Sequence, residues 1–284
     1  MRPEKRFISL GKEFWANVRT ISQQSGYTVR GKGQIKVHSV SDMMATMQSV
    51  GLGTEHLCGT EGNPTELGKN LYEYFKYRAD VLSAFVEPRL MDAPRAAKIF
   101  NQLKSKLKPR CPLPMNKQTG KKAAPAYLTG IVNMLIEANC HGLPCDYDPR
   151  ELTTVTRNGT PLRTLARRVD GCFPSTINPI AIWEIKEYYY TTTFGSRVAD
   201  GVYETLLDGL ELEELREHEG INVEHLLVVD AHYTWWTCGR SYLCRLVDML
   251  HMGYVDEILF GYEAVERLPG IVRDWVSRYR SFVE

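Results

Sequence analysis

The hydrophobic pattern divides the chain into a helical first part and a mixed second part. In the first hundred residues, apolar side chains recur three or four positions apart, which is typical of amphipathic helices. The clearest run has apolar or aromatic residues at Leu67, Leu71, Tyr74, Phe75, Val81, Leu82 and Phe85. The basic segment from Gly26 to Val40 is strand-like, and its glycines permit a hairpin or a close approach of the backbone. A solvated hairpin is the first interpretation, and contact with DNA is the alternative.

The helical pattern stops between Lys108 and Lys122, where prolines, lysines and a glycine replace the apolar residues. Such a change in composition is typical of a connection between two structural units. We therefore predict a mostly helical N-terminal region at residues 1–115 and a core at residues 116–284.

Within the core, the pattern predicts a helix, three strands, a helix and a strand, in that order. Pro125 suits the first turn of a helix whose apolar stripe includes Leu128 and Leu135. The predicted strands cover residues 152–156, 162–170 and 180–189, with a tight turn at Asn158-Gly159 between the first two. A helix from Ser196 to Gly220, a buried strand at 226–229 and helices at 242–250 and 265–279 follow. The expected fold class is α/β, with a mixed central sheet flanked by helices.

Two opposite charges interrupt the apolar face of the third predicted strand. Because side chains alternate along a strand, Ile180, Ile182, Glu184 and Lys186 share one face. Burying a carboxylate beside an ammonium is costly unless the two pair or serve a ligand. The alternative is an exposed ion pair between strands at the edge of a sheet.

Asp170 ends the preceding predicted strand, so a turn over residues 173–179 brings it beside Glu184. Two carboxylates of this kind can hold Mg²⁺, which keeps water and phosphate oxygens as its remaining ligands. Phosphodiester hydrolysis needs a metal, an attacking water and nearby positive charge, and Lys186 offers the last of these. Glu137, on the polar flank of the first core helix, is a candidate to hold a second metal or a metal-bound water.

The order of these residues resembles the PD-(D/E)XK nuclease superfamily, whose members include restriction endonucleases. Asp170 is followed after 13 residues by Glu184-Ile185-Lys186 on a strand, and the match covers roughly residues 125–230. Val169 replaces the proline of the family motif. The resemblance implies a restriction endonuclease-like core in which Asp170 and Glu184 bind Mg²⁺, with Mn²⁺ as a possible substitute. It also implies that Lys186 assists hydrolysis and that an acid on the first helix, here Glu137, contributes.

A long basic stretch precedes and enters the core. No acidic residue occurs between Ala93 and Ile136, while nine lysines and arginines do, including Lys117, Lys121 and Lys122. The stretch suits contact with phosphates, or else forms a solvated connector. Arg197 is a further candidate for phosphate contact, with a solvent-facing position as the alternative. Beyond the third strand, the run from Tyr188 to Thr193 either lines a DNA groove or simply favours strand structure.

The composition of the 284 residues changes this picture little. The net charge is +1, and the seven cysteines have no framework spacing, which predicts reduced thiols. No apolar run of about 18 residues or secretory leader is visible, so the expected location is the cytoplasm, without a membrane partner. Phosphate-loop, dinucleotide, serine-hydrolase and zinc-protease motifs are missing.

Together these expectations describe a Mg²⁺-dependent endonuclease for double-stranded DNA, in the first instance a sequence-specific type II restriction enzyme. The N-terminal region would then aid DNA binding or dimerisation, since a symmetric duplex site suits a homodimer. A repair or phage-defence nuclease with the same core is one alternative. A non-catalytic DNA-binding protein that retains the fold is the other.

Overall fold

The computed structural model describes residues 1–59, 62–120, 123–190 and 195–283, and these form a mixed α/β structure. The helices are α1 (Lys5–Ile8), α2 (Lys12–Ser25), α3 (Val40–Ser49), α4 (Glu66–Val81), α5 (Ala93–Leu107), α6 (Tyr127–Asn139), α7 (Ser196–Glu219), α8 (Arg240–Met252) and α9 (Glu263–Val283). The strands are β1 (Asp146–Tyr147), β2 (Thr154–Arg157), β3 (Thr160–Thr164), β4 (Gly171–Phe173), β5 (Ala181–Glu187), β6 (Glu224–Asp230) and β7 (Glu257–Phe260). Among the described helices, none has the length and apolarity that crossing a bilayer requires.

A five-stranded mixed sheet forms the centre, in the order β1-β4-β5-β6-β7. Strands β1, β4 and β5 pair antiparallel, whereas β5, β6 and β7 run parallel. The apolar run from Leu226 to Val229 in β6 is buried on both faces, as expected for a strand covered by helices on each side. The prediction of a mixed central sheet flanked by helices is confirmed at this level.

The two faces of the sheet pack against different helices. Trp183 of β5 lies in a cluster with residues of α6 and α9, stacked on Trp275 at a ring separation of 5.8 Å. Leu227 and Val229 of β6 pack on the opposite side with residues of α7 and α8. Because neighbouring residues of β5 point to opposite faces, Glu184 and Lys186 lie on the α7 side, away from Trp183.

The N-terminal helices α1 to α4 have a hydrophobic cluster of their own, as the predicted helical N-terminal region requires. A buried ion pair joins them to α8, since Arg78 Nη1 lies 2.9 Å from Asp248 Oδ2. Helix α5, although it belongs to the predicted N-terminal region, packs in the cluster that contains α6, through Ile99 and Phe100.

The strands differ from the predicted ones in several places. The predicted return strand at 162–170 ends at Thr164, because β2 and β3 form a separate two-stranded sheet around the Asn158-Gly159 turn. The strand beside β5 is instead the short β4, which the alternation pattern did not reveal, and β1 and β7 were also not predicted. The predicted hairpin at residues 26–40 is short: Thr28 and Ile35 form a bridge, and backbone hydrogen bonds join Val29 to Gln34 and Lys36 to Tyr27. All seven cysteines are free thiols.

Candidate active site

The pairing of β4 with β5 brings Asp170 beside Glu184. Gly171 lies opposite Trp183, so the residue before β4 faces the next position of β5. The backbone N–H of Asp170 donates to Glu184 Oε1 at 3.1 Å, and the N–H of Ile185 donates to Asp170 Oδ2 at 2.7 Å. Only glycine is compatible with position 171, since a Cβ there would lie 2.0 Å from Trp183 Cζ2. The predicted meeting of the two carboxylates therefore occurs, through β4 rather than through the hairpin strand.

Lys186 completes the predicted set. Its ammonium donates to Glu184 Oε2 at 2.8 Å and to Glu204 Oε2, on α7, at 2.7 Å. Helix α7 approaches this closely because residue 201 is glycine, where a Cβ would meet Lys186 Cδ at 3.2 Å. Glu184 is fully buried and Lys186 is 5% exposed, on a strand with neighbours on both sides. The alternative of an exposed pair at a sheet edge is therefore wrong.

Three further side chains extend this set into a six-residue ionic cluster. Arg167, in the loop before β4, donates to Asp208 Oδ2 on α7 at 2.6 Å and to Glu184 Oε2 at 3.2 Å. Its Nη1 lies 3.0 Å from Glu184 Oε1, and its Nη2 lies 3.5 Å from Glu204 Oε2. We call Arg167, Asp170, Glu184, Lys186, Glu204 and Asp208 the ionic cluster.

Both oxygens of the Glu184 carboxylate are engaged, by three hydrogen bonds and one further ion-pair contact. Each of its two oxygens has two partners: Asp170 N–H and Arg167 at Oε1, and Lys186 and Arg167 at Oε2. A carboxylate offers about four lone-pair positions. A cation can therefore reach Glu184 only where Arg167 gives up contacts. Asp170 differs, because it is exposed to solvent.

The ionic cluster holds more negative than positive charge. Four carboxylates face two cations, which leaves a formal charge of −2. Burial raises the pKa of Asp170 to about 6 even though its surface opens to solvent, and the nearby Glu184 charge adds to the rise. Burial and Glu184 likewise raise the pKa of Asp208 to about 7. For Glu184, burial opposes ionisation, but Lys186 and Arg167 outweigh it and hold the pKa below its ordinary value.

Asp170 opens onto a cleft of about 620 Å³. One wall is the segment from Pro112 to Gln118, and the opposite wall includes Tyr188, Tyr189 and Tyr190. Arg197, Asp200 and Glu204 contribute from the first turns of α7. Glu184 and Lys186 lie behind Asp170, out of the cleft lining. Of these three residues, which the sequence singled out, Asp170 alone lines the cleft.

Glu137 is not part of this arrangement. Both of its carboxylate oxygens accept the backbone N–H of Arg110, at 3.1 and 2.9 Å, so it fastens the loop that follows α5. Thr129 and Asn133 are the residues of α6 that line the cleft. Thr129, Asn133 and Glu137 lie on one side of α6, as their i+4 spacing predicts. The cleft extends only along the first turns of α6, so it includes Thr129 and Asn133 but not Glu137.

The structure describes two of the four basic residues that were predicted to contact phosphates. Lys117 and Arg197 are exposed and line the cleft. Lys121 and Lys122 lie outside the described residues, as do Thr191 to Thr193 of the aromatic run. The cleft thus carries two of the four basic residues that the sequence singled out.

Glu187, the last residue of β5, supports α6 from the cleft side. Its Oε2 accepts the backbone N–H of Thr129 at 3.0 Å and the hydroxyl at 3.2 Å, so it satisfies donors that the N-terminus of α6 leaves free. Burial raises the pKa of Glu187 from 4.5 to about 7.

This shift predicts how stability depends on pH. The folded state binds the proton of Glu187 more tightly than the unfolded state, so the stability that it contributes falls as pH rises from 4.5 to about 7. Because glutamine carries no charge, Glu187→Gln should unfold in urea with a free energy that depends less on pH, by about 2 kcal/mol over this range. The exposed Glu73→Gln serves as the control. A pH profile identical to the wild type's would contradict the assignment.

Sequence reasoning missed Arg167, Glu204 and Asp208. A signal for Asp208 was present, since it shares one side of α7 with the buried Leu212 and Leu215, where a carboxylate is costly. Arg167 has no such signal, because it lies in a loop between the buried Leu165 and Val169.

Comparison with known proteins places the ionic cluster within one family region. Residues 91–275, well over half of the chain, match the family model described as a domain of unknown function, DUF7687. The chain belongs to the DUF7687 family. Residues 1–85 match a second model, the domain of unknown function DUF7690. No curated protein and no solved structure matches the chain. All six residues of the ionic cluster lie in the DUF7687 region, and helices α1 to α4 lie in the DUF7690 region.

Proposed function

We propose that this protein is a Mg²⁺-dependent endonuclease for double-stranded DNA, acting through Asp170, Glu184 and Lys186. The observation that carries the proposal is the hydrogen-bonded set of these residues at the cleft, within a cluster of formal charge −2. A divalent cation would balance that charge. A sequence-specific type II restriction enzyme acting as a homodimer is the proposed subtype, and a repair or phage-defence nuclease is the alternative.

The topology around the site supports a restriction endonuclease-like core. Helix α6 precedes the strands, the antiparallel pair β4 and β5 carries Asp170, Glu184 and Lys186, and α7 leads into the parallel strand β6. This order is similar to the α-β-β-β-α-β core of the PD-(D/E)XK nucleases. The additional strand β7 and helices α8 and α9 extend it.

The donors present suit Mg²⁺, which favours carboxylate oxygens and water. Asp170 would hold the ion at the cleft. Glu184 would become a second ligand if one of its contacts with Arg167 were released. Among the described residues, no three His, Cys, Asp or Glu side chains form a ready-made metal site, and Glu184 is already paired with Arg167 and Lys186. A bound Mg²⁺ supplies charge stabilisation of a phosphate and a more acidic water.

The chain's own residues would act by position and charge. Asp170, anchored by the Ile185 N–H, presents its carboxylate to the cleft. Lys186 is held as an ammonium, because Glu184 and Asp170 raise its pKa despite burial. Its positive charge interacts with Asp170 and would favour a phosphate that gains negative charge during hydrolysis.

A second candidate is a DNA-binding protein without catalysis. The observation that favours it is the complete pairing of Glu184 with Arg167, Lys186 and the Asp170 N–H. In that case the ionic cluster would fasten α7 to β5 and would need no metal.

Incubation with supercoiled and linear plasmid, in Mg²⁺ or in EDTA, separates the two functions. A nuclease nicks or linearises the plasmid in Mg²⁺ only, and a sequence-specific one gives discrete fragments. Cutting should disappear in Lys186→Ala. Binding without cutting would leave the non-catalytic candidate, and undiminished cutting by Lys186→Ala would exclude the proposed site.

The position of Arg167 makes a separate prediction. Arg167→Gln frees the Glu184 oxygens and changes the formal charge of the ionic cluster from −2 to −3. Metal-free stability should fall by about 3 kcal/mol, because Glu184 and Asp208 lose a buried partner. Mg²⁺ should then bind about tenfold more tightly, since ligand charge raises affinity for such ions. Urea unfolding and calorimetric Mg²⁺ titration measure the two effects.

Arg163→Gln is the matched control, because Arg163 also pairs with acids of α7, at Glu211 and Glu214, away from the ionic cluster. It should leave Mg²⁺ binding unchanged. Weaker or equal Mg²⁺ binding by Arg167→Gln would show that Arg167 does not occupy the position of the cation.

A further inference from the structure

We infer that the exposed face of α5 is a binding surface for the phosphate backbone of duplex DNA, next to the cleft. The inference rests on the proposed nuclease function and adds the surface that holds the substrate. The residues concerned are Arg95, Lys98, Lys104, Lys106 and Lys108, and we call them the α5 basic face.

The charges of the α5 basic face are exposed and available. All five side chains are exposed, and among the ion pairs formed by the described part of the chain none includes them. No acidic residue occurs from Ala93 to Ile136 to neutralise them locally. Holding like charges together on one helix costs free energy, which an anionic partner would recover.

The buried side of α5 packs against α6, and this contact sets the position of the α5 basic face relative to the cleft. Ala96, Ile99 and Phe100 are buried, and the ring of Phe100 lies where a Cβ on Gly130 of α6 would fall, 2.3 Å away. Gly130 follows Thr129, which lines the cleft. Beyond Lys108 the chain continues through Arg110 into the cleft wall at residues 112–118. The α5 basic face is therefore linked to the cleft by residues 109–118 and by the packing of α5 on α6.

The dimensions and chemistry suit duplex DNA. A helix of 15 residues is about 22 Å long, which matches about six base pairs at 3.4 Å each. A membrane-surface helix would leave its apolar side free for lipid, whereas that of α5 is buried against α6. Exposed cations distributed along the length of α5 thus suit a rigid polyanion.

The test compares two triple variants with the same change of charge. Lys98→Gln/Lys104→Gln/Lys106→Gln removes three charges of the α5 basic face, and glutamine keeps a good helix propensity. The matched control is Lys12→Gln/Lys69→Gln/Lys76→Gln, which alters exposed lysines of α2 and α4. Binding of a fluorescent duplex of about 30 base pairs is measured in EDTA, so that nothing is cut, over a range of salt concentrations.

We expect the α5 variant to bind at least about tenfold more weakly at low salt, with the slope of log K against log salt reduced by about 3. The control should match the wild type. Equal losses in both variants, no loss in the α5 variant, or no duplex binding by the wild type would each overturn the inference. Plasmid cutting in Mg²⁺ reports separately on the nuclease. Binding through α5 without cutting contradicts only the proposed function, and cutting that is insensitive to the α5 variant contradicts only this surface.

Discussion

Replacing Asp170 with asparagine is expected to lower DNA cleavage in Mg²⁺ by about 10²–10⁴-fold, the range typical for loss of a group that acts directly in the reaction. The side chain lines the cleft, where its charge can attract a cation. Asparagine keeps an oxygen for the Ile185 N–H, so β4 and β5 stay paired. The melting temperature should therefore equal or exceed that of the wild type, because a carboxylate that resists ionisation has been removed.

The cleavage rate is measured on linear and supercoiled plasmid, and the melting temperature in EDTA. Asp80→Asn makes the same chemical change at an exposed position of α4 and should leave both quantities unchanged. A folded Asp170→Asn protein that cuts like the wild type would remove Asp170 from the site. A variant that is both inactive and unfolded would show that Asp170 is needed for structure.

Removing the carboxylate of Asp248 is expected to cost about 3–5 kcal/mol of folding free energy, the largest stability effect that we predict. Asp248 is the partner of Arg78, whose side chain is fully buried between the N-terminal helices and α8. Burial opposes the charge of Arg78, but Asp248 outweighs it and raises the pKa of the guanidinium. In Asp248→Ala this charge stays buried without a carboxylate, and Tyr74 loses its hydrogen-bond acceptor.

Urea unfolding followed by fluorescence measures this loss. The double variant Arg78→Met/Asp248→Leu should recover most of the stability, because a well-packed apolar pair avoids burying charge. Asp148→Asn is the control, since Asp148 forms an exposed pair with Arg150 at 3.3 Å and asparagine tolerates its left-handed backbone, so its loss should cost at most about 1 kcal/mol. A small effect of Asp248→Ala would mean that the DUF7690 and DUF7687 regions are joined mainly by apolar contacts.

Local patterns were sufficient for the parts of the fold that depend on near neighbours. The spacing of apolar residues predicted α4, α6 and α7, and the run from Leu226 to Val229 predicted the buried strand β6. These succeed because helix and strand periods are fixed by backbone geometry. For the same reason, alternation along β5 correctly placed Glu184 and Lys186 on one face.

The pairing of strands that are distant from each other in the sequence could not be predicted from such patterns. The predicted return strand ended at Thr164, and the neighbour of β5 is β4, only three residues long. A strand this short has too few positions to show alternation. Asp170 was nevertheless expected beside Glu184, because its position in the chain, close before the turn, limits where it can lie.

The sequence by itself determined that Glu184 and Lys186 share one face of a strand and that the chain is α/β. Only the tertiary structure decided which residues join them. Arg167 and Asp208 enter the ionic cluster, and Glu137 is directed to the loop after α5. The physical reason is that the period of an element fixes directions within it. Contacts between elements depend instead on how their side chains pack. Gly201 allows α7 to approach β5 closely, and this role can be recognised only when the positions of both elements are known.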